Sequence, residues 1–290
     1  MSTHDEKARP RFALAAVDID DTLVGADGVV SAANVAAVAR LVADGTRIVL
    51  ASGRSHGNMV PFHRALGLSP GPVISAQGAV VRDSDTDEVR FAYPIALNEV
   101  ATVTREGRER GFTVQHYRAT GIYIEGRSRW SEYDQSRNAE PHRQVDDLLA
   151  TSDGKEVPFD VAKIIWLGDP AVVTSVTPDV HARYDARLTV TRTDPPYLEF
   201  SPPNVSKATA LAAVAAELGV EQRRVLAFGD GNNDAAMLAW AGVGVAMPHA
   251  RESARTAADV IGPDGDAETA FARAVAMVLD ESSTEGVPLK

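Results

Sequence analysis

The chain has 290 residues, 44% of them apolar, enough to bury the core of one large α/β domain or of two smaller ones. A formal charge of -11 and a pI near 5.1 argue against a phosphate-backbone binder, which needs a basic stripe to displace counterions, so no nucleic-acid partner is expected. The absence of cysteine excludes disulfides, thiolate nucleophiles and cysteine-bound zinc.

The opening segment MSTHDEKARPR is polar with no apolar run behind it, and no stretch approaches bilayer-spanning length; a soluble, cytoplasmic protein with no membrane partner is expected. Residues 12–17 (FALAAV) form a short apolar run without helical spacing that ends in charge, the pattern of a buried parallel strand whose carboxyl end opens onto a sheet rim. Extended alternation would turn Asp18 and Asp20 to one side and Ile19 to the other. Two like charges so placed need a cation, a shared proton or water. Ser31 can cap a helix running to about Ala43, with Gly45 as its stop. A strand over 46–51 (TRIVLA) leads into Ser52-Gly53-Arg54, a helix over 56–66 closes at Gly67, and a strand over 72–76 follows. This alternation predicts a Rossmann-like, doubly wound parallel sheet with right-handed crossovers.

From about Asp83 the texture changes. Strands are expected over 89–93, 112–115, 122–125, 161–167, 188–193 and 197–200, with helices over 98–110, 144–150 and 170–184, the last interrupted by Pro178. Half-polar strands between helices suggest an α+β module with one sheet face exposed. The core texture returns near Ser201. A helix from about Ser206 carries Leu211, Val214 and Leu218 and stops at Gly219; a strand over 225–228, the loop GDGNND (229–234), a helix to Trp240, a strand over 243–247, two Ala-rich helices and a frayed tail over 281–290 complete the chain. The expected organisation is an α/β core from residues 1–83 and 201–290 with an α+β domain, 84–200, inserted between them.

Four segments place polar groups just after a core strand or at a helix start: Asp18-x-Asp20, Ser52-Gly53-Arg54, Lys207, and Asp230 to Asp234. Strand carboxyl ends share one rim in a parallel sheet, so the three strand-end segments should converge. Taken singly, each aspartate also fits a turn or a helix cap. Lys207 opposes the macrodipole of its helix and makes sense if an anion binds between it and the helix start, although a solvated surface lysine is the plain alternative. Ser52-Gly53 likewise suits approach to phosphate oxygens. An EF-hand calcium loop is excluded in both acidic segments, because the glycine and glutamate positions hold Ala235 and Ala241 in one and Leu23 and Val29 in the other. Carboxylates alone suit magnesium. The seven histidines show no H-x-x-x-H pair and read as surface or core-satisfied, and Gly242-Val243-Gly244 reads as strand packing.

Taken together, DIDDT (18–22), Ser52-Gly53-Arg54, Lys207 within SPPNVSKATAL, and GDGNND resemble, in order and spacing, the four motifs of the haloacid dehalogenase superfamily; the insert resembles the large cap of its Cof-type branch (subfamily IIB). The resemblance implies a magnesium-dependent phosphatase. Asp18 would be the nucleophile and Asp20 the general acid and then base. Asp18, Asp20 through its carbonyl, and Asp230 would hold the Mg2+, with Asp234 in support. Ser52, Gly53, Lys207 and Asn233 would hold the phosphoryl oxygens, with Arg54 assisting. Asp20 favours phosphoryl chemistry over dehalogenation, since a leaving halide needs no proton. Two departures stand out: Asp21 replaces the commoner glycine, and Met247-Pro248-His249-Ala250 replaces a glycine-asparagine-alanine turn. The expected substrate is a small phosphorylated metabolite, sugar-phosphate-like; a sugar phosphomutase, or a non-catalytic binding protein on this fold, are the alternatives. His116, Tyr117, Arg118 and Tyr123 are candidates for specificity in the insert, each weighed against being an ordinary surface residue. Oligomeric state is not readable.

Overall fold

The computed structural model describes residues 10–25, 27–150 and 160–280, so the tail expected to fray lies outside the described residues. These residues form two compact units, one built from the chain up to Ala51, from His63–Ser69 and from Lys207 onward, the other from Ser52–Phe62 and Pro70–Ser206. In chain order, β1 (Leu14–Val17) is buried at every position, as its unbroken apolar run requires. Helix α1 (Ala32–Ala43) begins where the Ser31 hydroxyl accepts from the Asn34 N–H at 3.2 Å. Then come β2 (Arg47–Leu50) and α2 (His56–Ala65).

The strand expected to extend the core sheet, β3 (Pro72–Ser75), lies instead in a three-stranded antiparallel sheet with β4 (Val80–Asp83) and β5 (Val89–Ala92). A tight turn at Ala76–Gly78, with Ala76 and Gln77 at positive φ, returns the chain on itself at once, leaving no length for a parallel crossover. The rest of the second unit is α3 (Leu97–Glu109), β6 (Thr113–Arg118), β7 (Gly121–Ile124), α4 (Arg129–Arg137), β8 (His142–Gln144), β9 (Val161–Leu167), α5 (Pro170–Tyr184), β10 (Thr189–Thr191) and β11 (Tyr197–Ser201). Its six-stranded sheet has the order β10-β11-β9-β6-β7-β8, antiparallel except where β7 meets β8. One face packs Val114, Ile164, Trp166, Leu198 and Phe200 against Val100 and Val103 of α3 and Val173, Val180 and Tyr184 of α5.

Three expectations for this region are corrected. The helix expected over 144–150 is absent: β8 ends there and a turn follows. The sheet does not leave one face open, because Trp130 and Tyr133 of α4 pack on Tyr117, Ile122, Ile165, Leu167 and Tyr197. Helix α4 itself was not foreseen; its sequence RWSEYDQSR is too polar to show an apolar stripe, and its signal is the reciprocal cap between Ser128 and Ser131. Pro178, by contrast, does not break α5.

The chain then forms α6 (Lys207–Glu217), β12 (Val225–Gly229), α7 (Ala235–Trp240), β13 (Val243–Ala246), α8 (Glu252–Ala257), β14 (Val260–Ile261) and α9 (Ala270–Leu279). The sheet of the first unit is wholly parallel, in the order β14-β13-β12-β1-β2. Phe228 of β12 meets Phe271 of α9 edge to face at 5.0 Å beneath it. The fold is therefore α/β, with a parallel core sheet from both ends of the chain and an α+β module between. No helix among the described residues is long and apolar enough to cross a membrane.

Candidate active site

Strand β1 stops one residue short of Asp18, whose N–H donates to the Phe228 carbonyl at 3.1 Å, so this residue sits on the rim beside β12. The chain then turns sharply. The Ile19 carbonyl accepts from the N–H groups of Leu23 at 2.9 Å and Val24 at 3.0 Å, which requires Asp21 to adopt φ 57. That left-handed conformation is free for glycine and tolerated by aspartate, a physical reason why glycine suits this position. The strand alternation expected for Asp18 and Asp20 therefore does not extend to them: Asp18 is 4% exposed, whereas Asp20 stands exposed on the turn.

Lys207, the first residue of α6, is 1% exposed, so the surface-lysine alternative falls. Its ammonium donates to Asp18 and, at 2.6 Å, to Asp234. The other oxygen of Asp234 accepts from the N–H groups of Asp230 at 3.1 Å and Gly231 at 2.9 Å, folding the GDGNND loop back around its own last carboxylate. Asp230 accepts from the Thr22 hydroxyl at 3.1 Å. One oxygen each of Asp18, Asp230 and Asp234 lie within 4.8 Å of one another. Asn233 is exposed on the same loop.

Three carboxylates facing one ammonium carry a formal excess of two negative charges. Burial, against the pull of Lys207, raises the Asp18 carboxyl well above the usual carboxylate range, and Asp234 pushes the same way. Asp230 is pushed up to about 6, first by burial and then by Asp234, with Thr22 opposing. Burial works against the Lys207 ammonium, but Asp18 and Asp234 outweigh it and hold its pKa above the ordinary lysine value. A hard divalent cation fits this donor set, which offers only oxygen and lacks two positive charges. Asp18 and Asp230 are placed to be its ligands. Asp234 spends one oxygen on Lys207 and the other on two backbone amides.

Ser52, Gly53 and Arg54 belong to the second unit. Ser52 is buried; its N–H donates to the Ile74 carbonyl at 3.0 Å and its hydroxyl accepts from the Arg54 N–H at 3.2 Å. A Cβ on Gly53 would stand 2.4 Å from Gln77 Nε2, so a larger residue there would have to displace the end of that side chain. The Arg54 guanidinium lies over the Phe62 ring. The structure thus brings together Asp18, Lys207, Asp230 and Asp234, with Asp20 and Asn233 on the same unit.

Two groups escaped the sequence reading. Thr22 orients Asp230, and the His249 ring donates from Nε2 to the Asp21 carbonyl at 2.6 Å, tying the turn that carries Asp20. The departure from the usual turn at 247–250 marks the position of the second but carries no sign of its partner. In the insert, His116 and Tyr117 are buried instead of exposed, and Arg118 stacks over Tyr123. His56 and His116 are both buried; His116 Nε2 bonds the Thr104 hydroxyl at 2.7 Å, whereas neither ring nitrogen of His56 makes a hydrogen bond, so the expectation that histidines are surface or core-satisfied fails for His56.

The sequence model of haloacid dehalogenase-like hydrolases matches residues 15–275. The chain is 26% identical to phosphatase YwpJ of Bacillus subtilis over 271 residues, 86% of this chain and 93% of that protein. Among solved structures, a haloacid dehalogenase-like hydrolase from Bacteroides thetaiotaomicron superposes with a TM-score of 0.79 at 29% identity, covering 92% of this chain and all of that one. The subclass IIB sugar phosphatase BT4131 shares the fold, with a TM-score of 0.67 at 20% identity over 86% of this chain and 93% of its own.

Proposed function

This chain belongs to the haloacid dehalogenase-like hydrolase family, and on that premise we propose that it is a magnesium-dependent phosphatase that hydrolyses a small, sugar-phosphate-like metabolite through an aspartyl-phosphate on Asp18. The observation that carries this reading is the buried cluster in which the Lys207 ammonium bridges Asp18 and Asp234, with Asp230 alongside.

Lys207 engages one oxygen of Asp18, leaving the other to attack phosphorus. As that bond forms, the ester bond to the leaving alcohol breaks, and Asp20 donates a proton to the departing oxygen. Asp20, exposed on its turn, then removes a proton from water, which attacks phosphorus and restores the Asp18 carboxylate with release of inorganic phosphate. Lys207 stays beside the nucleophile throughout and neutralises charge on the transferring oxygens, while Asp234 keeps the ammonium in place. A magnesium ion held by Asp18, the Asp20 carbonyl and Asp230 would supply charge neutralisation at the phosphoryl group. Ser52, Gly53 and Asn233 are assigned to phosphate binding, and Arg54 to assistance, on the motif resemblance; residues 84–200 are assigned as the cap. Phosphatase names among the relatives support the reading, and the sugar phosphatase that shares the fold supports the substrate class.

The test is phosphate release by the purified protein against a panel of phosphorylated metabolites with magnesium present. We expect release from a sugar phosphate or close analogue, its loss in EDTA and its return with magnesium. No release from any ester would overturn the proposal; slow release with isomerisation in the presence of a bisphosphate would replace it with a phosphomutase.

A further inference from the structure

Strand β9 carries a charge that its packing does not call for. Alternate residues Lys163, Ile165 and Leu167 share one face of the sheet, and there Ile165 and Leu167 pack with Tyr117, Ile122 and Tyr197 in an apolar cluster. Lys163 is 3% exposed; its ammonium pairs with Glu199 of β11, itself 7% exposed, at 3.1 Å and lies 4.4 Å from the centre of the Tyr117 ring. The other oxygen of Glu199 accepts from the Thr193 hydroxyl at 3.0 Å. A buried ion pair often stabilises a fold no better than apolar residues of the same volume, so stability alone gives no reason for a lysine here. What else the ammonium reaches does: it donates to the Gly53 carbonyl at 3.4 Å, 110 residues away in sequence and within the same compact unit.

That carbonyl belongs to the Ser52-Gly53-Arg54 turn, whose main chain is held at every residue. The Ser52 carbonyl accepts from the Gln77 N–H at 3.1 Å and the Arg54 carbonyl from the Ala76 N–H at 2.9 Å, so backbone partners fix the peptides on either side. The middle peptide, Gly53 to Arg54, has its carbonyl on Lys163 and its N–H on the Ser52 hydroxyl at 3.2 Å. Because this peptide is planar and trans, its two ends turn together, and holding the carbonyl aims the Arg54 N–H. The hydroxyl that accepts from this N–H keeps its own proton to donate, in a direction set by the bond it accepts. Gly53 is half-buried, so water is able to reach its carbonyl but not to hold it in one orientation. We propose that Lys163 is a positioning residue for this turn: through the Gly53–Arg54 peptide it aims the Ser52 hydroxyl at a phosphoryl oxygen, and Glu199 keeps the ammonium in place. This rests on the assignment of Ser52 to phosphate binding in the functional reading above.

The test is a double-mutant cycle read as the dissociation constant of inorganic phosphate, measured by calorimetry on the full-length protein with magnesium present, so that no turnover is needed. Replacing the pair as a whole, Lys163→Met with Glu199→Met, avoids leaving one buried charge alone, and melting curves check that the protein is folded. This variant should bind phosphate about tenfold more weakly than the wild type, and so should Ser52→Ala. All three substitutions together should be no weaker than Ser52→Ala by more than a factor of about two, because Lys163 acts through that hydroxyl. Lys163→Arg, which keeps the charge and a donor, should return the affinity to within about threefold of the wild type. A merely structural pair would lower the melting temperature and leave the dissociation constant where it was. If the paired variant does not fold, Lys163→Gln with Glu199→Gln, too short at 163 to reach Gly53, carries the same comparison. Unchanged affinity in the folded paired variant while Ser52→Ala weakens binding, or losses that multiply to about a hundredfold in the triple variant, would overturn this inference and leave the functional reading standing. Phosphate binding that is indifferent to Ser52→Ala would instead overturn the assignment of Ser52 in that reading, and this inference with it. A wild type without saturable phosphate binding would remove the phosphate site on which the inference rests and overturn it too.

Discussion

Lys207 is the residue on which the buried cluster turns. It is the cation set between Asp18 and Asp234, and removing it leaves carboxylates facing one another away from water. Lys207→Met should therefore lower unfolding free energy by about 3–5 kcal/mol, read from denaturant melts, as well as abolishing turnover. Asp230 gives a signed pH effect. Its folded pKa, about 6, lies above the ordinary value of 3.8, so folding favours the protonated form. Its contribution is fully present below about pH 4 and is lost as pH rises through about 6. In EDTA, the melting temperature of the wild type relative to Asp230→Asn should fall across that window, and a rise would contradict the assignment. Asp18, Lys207, Asp230 and Asp234 were legible because each stands where a strand ends or a helix begins. His249 was not, since its partner is a main-chain carbonyl far away in sequence, and no residue pattern encodes a carbonyl.

At the scale of elements, the sequence reading succeeded where one element's own pattern decides its form and failed where neighbours decide it. The uniform run of β1 and the capped start of α1 carry their structure locally. Strand β3 does not: its apolar residues fit a parallel or an antiparallel partner equally, and the positive-φ turn at Ala76 and Gln77, which neither residue type advertises, sends it into the antiparallel sheet. Pro178 misleads in the opposite direction. Helix α5 survives it because Asp169 caps the start and Val173, Val180 and Tyr184 are buried along its length. Pro178→Ala should accordingly raise stability, by up to about 3 kcal/mol, in thermal or denaturant melts. Gly107 in α3 should behave against helix propensity. A Cβ there would stand 2.4 Å from Trp166 Nε1, and Trp166 is fixed by stacking on Phe112 and by its bond to the Val103 carbonyl. Gly107→Ala should cost about 1–3 kcal/mol where propensity alone would give a gain.

At the scale of the whole molecule, a parallel sheet assembled from both ends of the chain brings Asp18 next to residues about two hundred positions away. The local signals were each ambiguous, and their spacing across the chain made them one site. The substrate is less legible, because the burial and contacts of side chains such as His116 and Tyr117 emerge only from packing. The central claim is that Asp18 is the nucleophile of a phosphoryl transfer. It is tested most directly by phosphate release from Asp18→Asn, with magnesium present, beside the wild type. The substitution keeps the shape of the side chain and removes one charge from a cluster with excess negative charge, so the melting temperature should hold or rise while the rate falls about a thousandfold or more. A folded Asp18→Asn protein that kept a tenth or more of the wild-type rate would contradict the account.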